Sequence, residues 1–215
     1  GFFGRLLRID LTEKKHHVEE INPAILRDYV GGSALAARIL YEELPAGTDP
    51  LGPENKLVYT VGPFTGTRVP CASRLNISTK SPLTGGLGSS LSGGFFPVEM
   101  KWAGYDAIVI EGRSEEPVYI SVNDDRVSIR NAEKYWGLDT QDTQVYLKEE
   151  LKDQNFRISC IGPAGENQIL ISCIMNEARA AGRKGVGAVM GSKNLKALAV
   201  RGTKDVTVAD GKSLR

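Results

Sequence analysis

The chain has 215 residues, 41% of them hydrophobic, which suits one large globular domain or two small ones with an ordinary buried core. Its 27 Lys and Arg stand against 26 Asp and Glu, so no overall positive field exists to recruit nucleic acid or a membrane surface. Cys71, Cys160 and Cys173 are an odd set without CxxC spacing, which argues against a disulfide framework or a self-contained metal site and fits a reducing cytoplasm.

From the start, residues 6–10 alternate apolar and polar side chains, 12–15 read as a turn, and 16–21 return as a second strand. Asn22 and Pro23 supply an N-cap and a first-turn proline. Ile25, Leu26, Tyr29, Leu35, Ile39 and Leu40 then form a helical stripe broken at Gly31-Gly32, so two short helices are expected. Residues 57–61 are a continuous apolar run ending in Gly62-Pro63, and 75–79 are another short strand. A glycine cluster at 85–94 follows, then a helix over 95–103 and a buried-looking strand over 107–111 closed by Gly112.

The same order then repeats. Strands are expected at 118–122 and 126–130 around the turn Asn123-Asp124-Asp125, and Asp139 caps a helix over 140–151. The run 157–161 ends in Gly162-Pro163, matching Gly62-Pro63. A strand at 169–174, a second glycine cluster at 182–191, a helix and a strand at 197–201 closed by Gly202 complete the copy. This order predicts an α+β fold, a duplicated two-lobe β-sheet domain with short helices and a pseudo-two-fold axis. The halves fall at 1–113 and 114–203, with 204–215 opening a linker.

Nine of the 24 glycines fall in those two clusters, which fits either flexible loops or backbone that must come close to something large. Arg179 to Gly187 could likewise be a mobile loop, or backbone N–H groups and a helix amino terminus holding phosphate oxygens. Gly187 to Lys193 is one residue short of a nucleotide phosphate loop, and the cluster fails GxGxxG because Met190 stands where glycine is needed. His16 and His17 alternate faces of a strand and do not share a metal easily. Trp102, Tyr105, Tyr135 and Trp136 are assigned to packing, and all three cysteines to core or near-core positions. No serine-histidine-acid or paired-carboxylate arrangement can be assembled, so no catalytic residue is expected. No cationic stretch followed by a long apolar one opens the sequence, and it contains no apolar run of about eighteen residues.

Several segments resemble the aldehyde ferredoxin oxidoreductase family: Pro53-Glu-Asn-Lys56, Gly62-Pro-Phe-Thr-Gly66, Ser73-Arg-Leu-Asn76 and Thr79-Lys-Ser-Pro-Leu-Thr-Gly85. Ser92-Gly-Gly94, Lys101-Trp-Ala-Gly-Tyr-Asp106, Ile161-Gly-Pro-Ala-Gly-Glu-Asn167 and the run from Arg179 to Lys196 extend the likeness over nearly the whole chain. The resemblance implies the first domain of a longer oxidoreductase, in which two pterins jointly hold one tungsten or molybdenum. Arg74 matches the family's arginine between pterin and iron-sulfur cluster. Leu91, Gly93, Arg179, Ala180 and Gly182 match pterin- or magnesium-contacting positions. Main-chain oxygens at Leu91 and Ala180 would hold the magnesium that bridges the pterin phosphates, and relatives can carry Asn where Leu91 stands.

By the same resemblance, electrons would pass through a 4Fe-4S cluster, bound by cysteines in downstream domains, to ferredoxin, with an aldehyde as substrate. This segment alone would be inactive, and its oligomeric state is open. An aryl-coenzyme A reductase subunit and a stand-alone phosphate-ligand binding module are the alternative readings.

Overall fold

The computed structural model describes residues 1–214, and its strands form two six-stranded sheets. The first contains β1 (Arg5–Asp10), β2 (Lys15–Glu20), β3 (Leu57–Val61), β4 (Leu75–Lys80), β5 (Leu87–Ser92) and β6 (Ala107–Glu111), in the order β2-β1-β6-β3-β4-β5. The second contains β7 (Val118–Asn123), β8 (Arg126–Asn131), β9 (Arg157–Cys160), β10 (Ile174–Asn176), β11 (Arg179–Ala181) and β12 (Leu195–Arg201), in the order β8-β7-β12-β9-β10-β11. Adding six to every label of the first order gives the second. In each sheet one pair is parallel, β1 with β6 and β7 with β12, and the other pairs are antiparallel. The duplicated α+β architecture is therefore present down to strand direction.

Strand periodicity of two sets the layers. Leu6, Val58, Ala107 and Val109 point outward and pack beneath α1 (Pro23–Tyr29) and α2 (Gly32–Glu43). Tyr119, Ile158, Ala197 and Ala199 do the same under α4 (Thr140–Leu151). The intervening residues Leu7, Ile9, Tyr59, Ile77 and Ile108 meet Ile120, Val122, Leu198 and Val200 in one core shared by both sheets. Two short helices, α3 (Phe96–Trp102) and α6 (Val186–Ser192), add Phe96, Met100, Val189 and Met190 to it. Each fully buried side chain of this size contributes roughly 1.5–3 kcal/mol, so the central strands, apolar on both faces, hold the lobes together.

Polar pins cross the same interface. The buried Lys193 Nζ donates to the carbonyls of Pro53 at 3.3 Å and Gly112 at 2.9 Å, and also to that of Asn55. Gly191 lets α6 cross the short helix α5 (Pro163–Glu166), since a Cβ there would fall 1.9 Å from the Gly165 carbonyl oxygen.

Three features differ from the sequence expectations. The strand expected at 169–174 starts only at Ile174, because 169–173 form a turn closed by Ser172 N donating to Ile169 O at 2.8 Å. β5 and β11 arise inside or beside the glycine clusters, where Leu-Gly-Ser-Ser-Leu-Ser and Arg-Ala-Ala carry little β-propensity and pairing on one side makes the strand. Cys71, expected in or near the core, is exposed on a turn with φ of 59°. Cys160 is buried and Cys173 partly so.

Candidate functional site

The ladder register shows which residues of the two lobes correspond. Ala107 pairs with Thr60, Thr60 with Asn76, and Asn76 with Leu91. From its counterpart Ala197, the equivalent path runs through Cys160 and Met175 to Ala180. Leu91 and Ala180 thus occupy the same place on the two edge strands β5 and β11. Gly93 and Gly182, two residues further on, occupy the same place in the two strand-to-helix corners. The counterparts Tyr59 and Ser159 lie 3.3 Å apart, hydroxyl to hydroxyl, so the pseudo-two-fold axis passes between them.

The two edge strands pack together, and the corners are tied across the lobes. Asn176 Nδ2 donates to Gly93 O at 2.7 Å, and Ser92 Oγ donates to Asn176 Oδ1 at 2.7 Å. Arg183 N donates to Ser90 Oγ at 3.0 Å, and Ser81 Oγ donates to Lys184 O at 2.8 Å. Arg74 lies against the first corner, where a Cβ on Gly93 would meet its Nη1 at 3.3 Å. Arg179 lies against the neighbouring glycine, where a Cβ on Gly94 would come 3.5 Å from its Cγ. Gly182 is open, with only Ala180 Cβ within reach, at 3.8 Å. The six sequence-derived positions are therefore brought to one rim between the lobes.

This rim is cationic and partly apolar. Among the described residues Arg74, Arg179, Arg183 and Lys184 form no ion pair, and the single side-chain hydrogen bond of Arg74 goes to the Ser73 carbonyl at 3.2 Å. The nearby Glu177 carboxylate is committed to Arg157 at 3.2 Å and to the Phe95 N–H at 2.9 Å. Leu91 and Phe95 are 63% and 62% exposed, a large apolar area to leave beside guanidinium groups. Edge strands carry an outward row of unpaired carbonyls, and Leu91 and Ala180 both lie on such strands.

Other features of the molecule are structural. Burial pushes the Cys160 thiol up to about 12, which keeps it protonated and unreactive. His16 and His17 are both exposed, and His17 bonds Glu19 at 2.9 Å. Among the described residues no three His, Cys, Asp or Glu side chains gather in a metal-binding group. A groove of about 750 Å³ between α2 and the β4–β5 hairpin, lined by Tyr29, Tyr41, Leu44 and Leu87, includes neither Arg74 nor Arg179. Sequence reasoning missed Asn176 and Ser90, whose importance comes from bonds spanning more than 80 residues.

The fold and the rim define a duplicated two-sheet α+β domain whose register-equivalent glycine corners are tied together beside arginines that, among the described residues, form no ion pair. The chain belongs to the aldehyde ferredoxin oxidoreductase family: the profile for that family's N-terminal domain matches residues 6–202. It is 49% identical over 211 residues to the tungsten-containing aldehyde ferredoxin oxidoreductase of Thermococcus kodakarensis, covering 98% of this chain and 35% of that one. The enzyme of the same name from Pyrococcus furiosus is 47% identical with the same coverage. Among solved structures, the active-site complex of benzoyl-coenzyme A reductase with 1,5-dienoyl-CoA matches with a TM-score of 0.97 and 38% identity, over 98% of this chain and 32% of that one. The chain thus spans about a third of the length of the relatives it matches.

Proposed function

We propose that this chain is the cofactor-seating domain of a longer tungsten bis-pterin enzyme. That enzyme oxidises aldehydes to carboxylic acids and sends the electrons through a 4Fe-4S cluster to ferredoxin. The observation that carries the reading is the meeting of two register-equivalent glycine corners, Gly93 and Gly182, beside arginines that have no carboxylate partner. Tungsten stands in the names of the relatives that are 47–49% identical.

The donor set fits a twofold, phosphate-bearing organic group. Arg74 and Arg179 would donate planar guanidinium hydrogen bonds to it, which a lysine could not reproduce. Gly93 and Gly182 would let backbone come near it. Main-chain oxygens of Leu91 and Ala180 would hold magnesium, a hard ion that takes oxygen ligands. When bound, the group supplies the redox chemistry, and the protein contributes position and electrostatics. The domain is taken to run from 1 to 203, as halves 1–113 and 114–203. Residues 204–215 would lead to the parts carrying the cluster and the aldehyde pocket. Lys204 is anchored first, its N–H donating to Trp102 O at 2.8 Å and its Nζ lying 2.9 Å from the Asp125 carboxylate. Among the described residues no helix is long and apolar enough to cross a membrane.

Metal and pterin analysis of the full-length gene product tests this reading, with one tungsten and two pterins expected per chain. A folded product lacking both overturns it. The benzoyl-coenzyme A reductase likeness supports a second reading on the same seat, and aldehyde-dependent against aryl-coenzyme A-dependent dye turnover separates the two.

A further inference from the structure

The two corners match in position and differ in hydrogen bonding. In the second lobe the Arg183 N–H is satisfied by Ser90 Oγ at 3.0 Å. By register, the counterpart of Arg183 is Gly94 and the counterpart of Ser90 is Arg179. An arginine side chain offers only donors, so the Gly94 N–H finds no acceptor there, and among the described residues it makes no hydrogen bond. Gly94 has φ of +97°, and a Cβ on it would meet Glu177 Oε2 at 2.8 Å and Asn176 Nδ2 at 2.9 Å. The Glu177 carboxylate is already engaged by Arg157 and Phe95 N. Two donors without acceptors, a backbone N–H and a guanidinium, therefore stand side by side.

The direction of that N–H is set by Asn176. Its side chain is fully buried, and its amide is gripped at both ends, by Ser92 Oγ on Oδ1 and by Gly93 O on Nδ2. The Gly93 carbonyl can only accept, so the NH₂ must face it, and the orientation of the amide follows from its partners. Across a trans peptide, the carbonyl and the following N–H point in opposite directions. Holding Gly93 O against the buried Asn176 thus turns the Gly94 N–H toward the accessible side. Ile77, at the position in the first lobe equivalent to Asn176, has no group with which to do this for Gly182.

We infer that Asn176 is a positioning residue for the cofactor: it presents the Gly94 N–H beside Arg179 as a notch for one anionic phosphate-type oxygen, a device present in only one of the two corners. The inference rests on the cofactor-seat reading. In the full-length protein, Asn176→Leu keeps the branched shape and the number of side-chain heavy atoms and removes both bonds, and Ser92→Ala removes the bond that steadies the amide. Leu147→Ala truncates the separate core under α4 and serves as a control for lost stability. Tungsten and pterin per chain are measured beside thermal unfolding. Asn176→Leu should lower both contents about tenfold, the scale of one charge-assisted hydrogen bond. Ser92→Ala should lower them less, and Leu147→Ala should stay loaded despite melting earlier. Equal loss in Leu147→Ala, or full loading of Asn176→Leu, overturns the role of Asn176. If Asn176→Leu does not fold, Ser92→Ala against Leu147→Ala decides on the same terms. A wild-type protein that holds no pterin overturns the seat itself, a distinct result.

Discussion

Valine at Gly93 or Gly182 should empty the seat and leave the fold standing. At Gly93 the new Cβ meets the mobile Arg74 Nη1 at 3.3 Å and Ser73 O at 3.9 Å, and at Gly182 only Ala180 Cβ at 3.8 Å. Neither glycine has positive φ, so no left-handed backbone is strained by a side chain. The stability cost should be that of an ordinary surface change, about 0.5 kcal/mol, or about 1–2 °C for a domain of this size. Gly191→Val supplies the contrast. Its Cβ would lie 1.9 Å from Gly165 O and 2.7 Å from the carbonyl carbon, backbone against backbone where α5 and α6 cross. Relief would require moving a helix, at roughly 3–5 kcal/mol and about 6–20 °C. Circular-dichroism melts of the 215-residue chain give the stability arm, and tungsten and pterin content of the full-length protein gives the loading arm. Full metal content in Gly93→Val and Gly182→Val, or melting as early as Gly191→Val, would refute the reasoning.

Arg74→Ala should shift stability by no more than about 0.5 kcal/mol and retain metal, yet slow ferredoxin reduction, with Arg74→Lys recovering only part of the rate; unchanged turnover removes the role. Burial pushes the Glu150 pKa up, but Lys134, Tyr119 and Tyr135 outweigh it and hold the carboxyl at about 2. A depressed folded-state value stabilises above the ordinary carboxyl pKa and is lost as pH falls through it toward 2. Glu150→Gln should therefore cost about 1–2 kcal/mol at neutral pH after allowing for solvent screening and flatten the acid limb of a stability profile; an unchanged limb excludes this. Lys193→Met leaves the Asn55 and Gly112 carbonyls without a donor and takes one of two from Pro53 O, which keeps the Gly112 N–H; it should cost about 3 kcal/mol or more in urea unfolding, which a loss below about 0.5 kcal/mol would contradict.

The duplication was legible because the repeat leaves marks that need no distant partner. Gly62-Pro63 and Gly162-Pro163, and the strands ending in Gly112 and Gly202, fall at matching places in both lobes. Central strands were legible for the same reason, since burial on both faces demands continuous apolar runs such as Leu57–Val61. The edge strands β5 and β11 were not, although the hairpin edge strands β2 and β8 were. Arg179–Ala181 becomes a strand through its pairing with β10, and a run such as Ile169 to Ile171 outscores it on apolarity while lying exposed in a turn. Of the candidate site, the family resemblance supplied the glycines and arginines. Asn176 has no local signature: an asparagine directly before a turn looks ordinary until its two hydrogen-bond partners arrive from the other lobe.

The shared core has a consequence for how a ligand is taken up. Because Leu7, Tyr59 and Ile108 pack directly on Ile120, Leu198 and Val200, and the axis-related Tyr59 and Ser159 touch, neither sheet can hinge without opening the main apolar contact of the molecule. The domain is therefore a rigid template and not a clamp. Ordering of the two corners is completed during folding, before any ligand arrives, so affinity is not spent on closing them. In the proposed seat, a ligand would reach the two corners from the rim at β5 and β11.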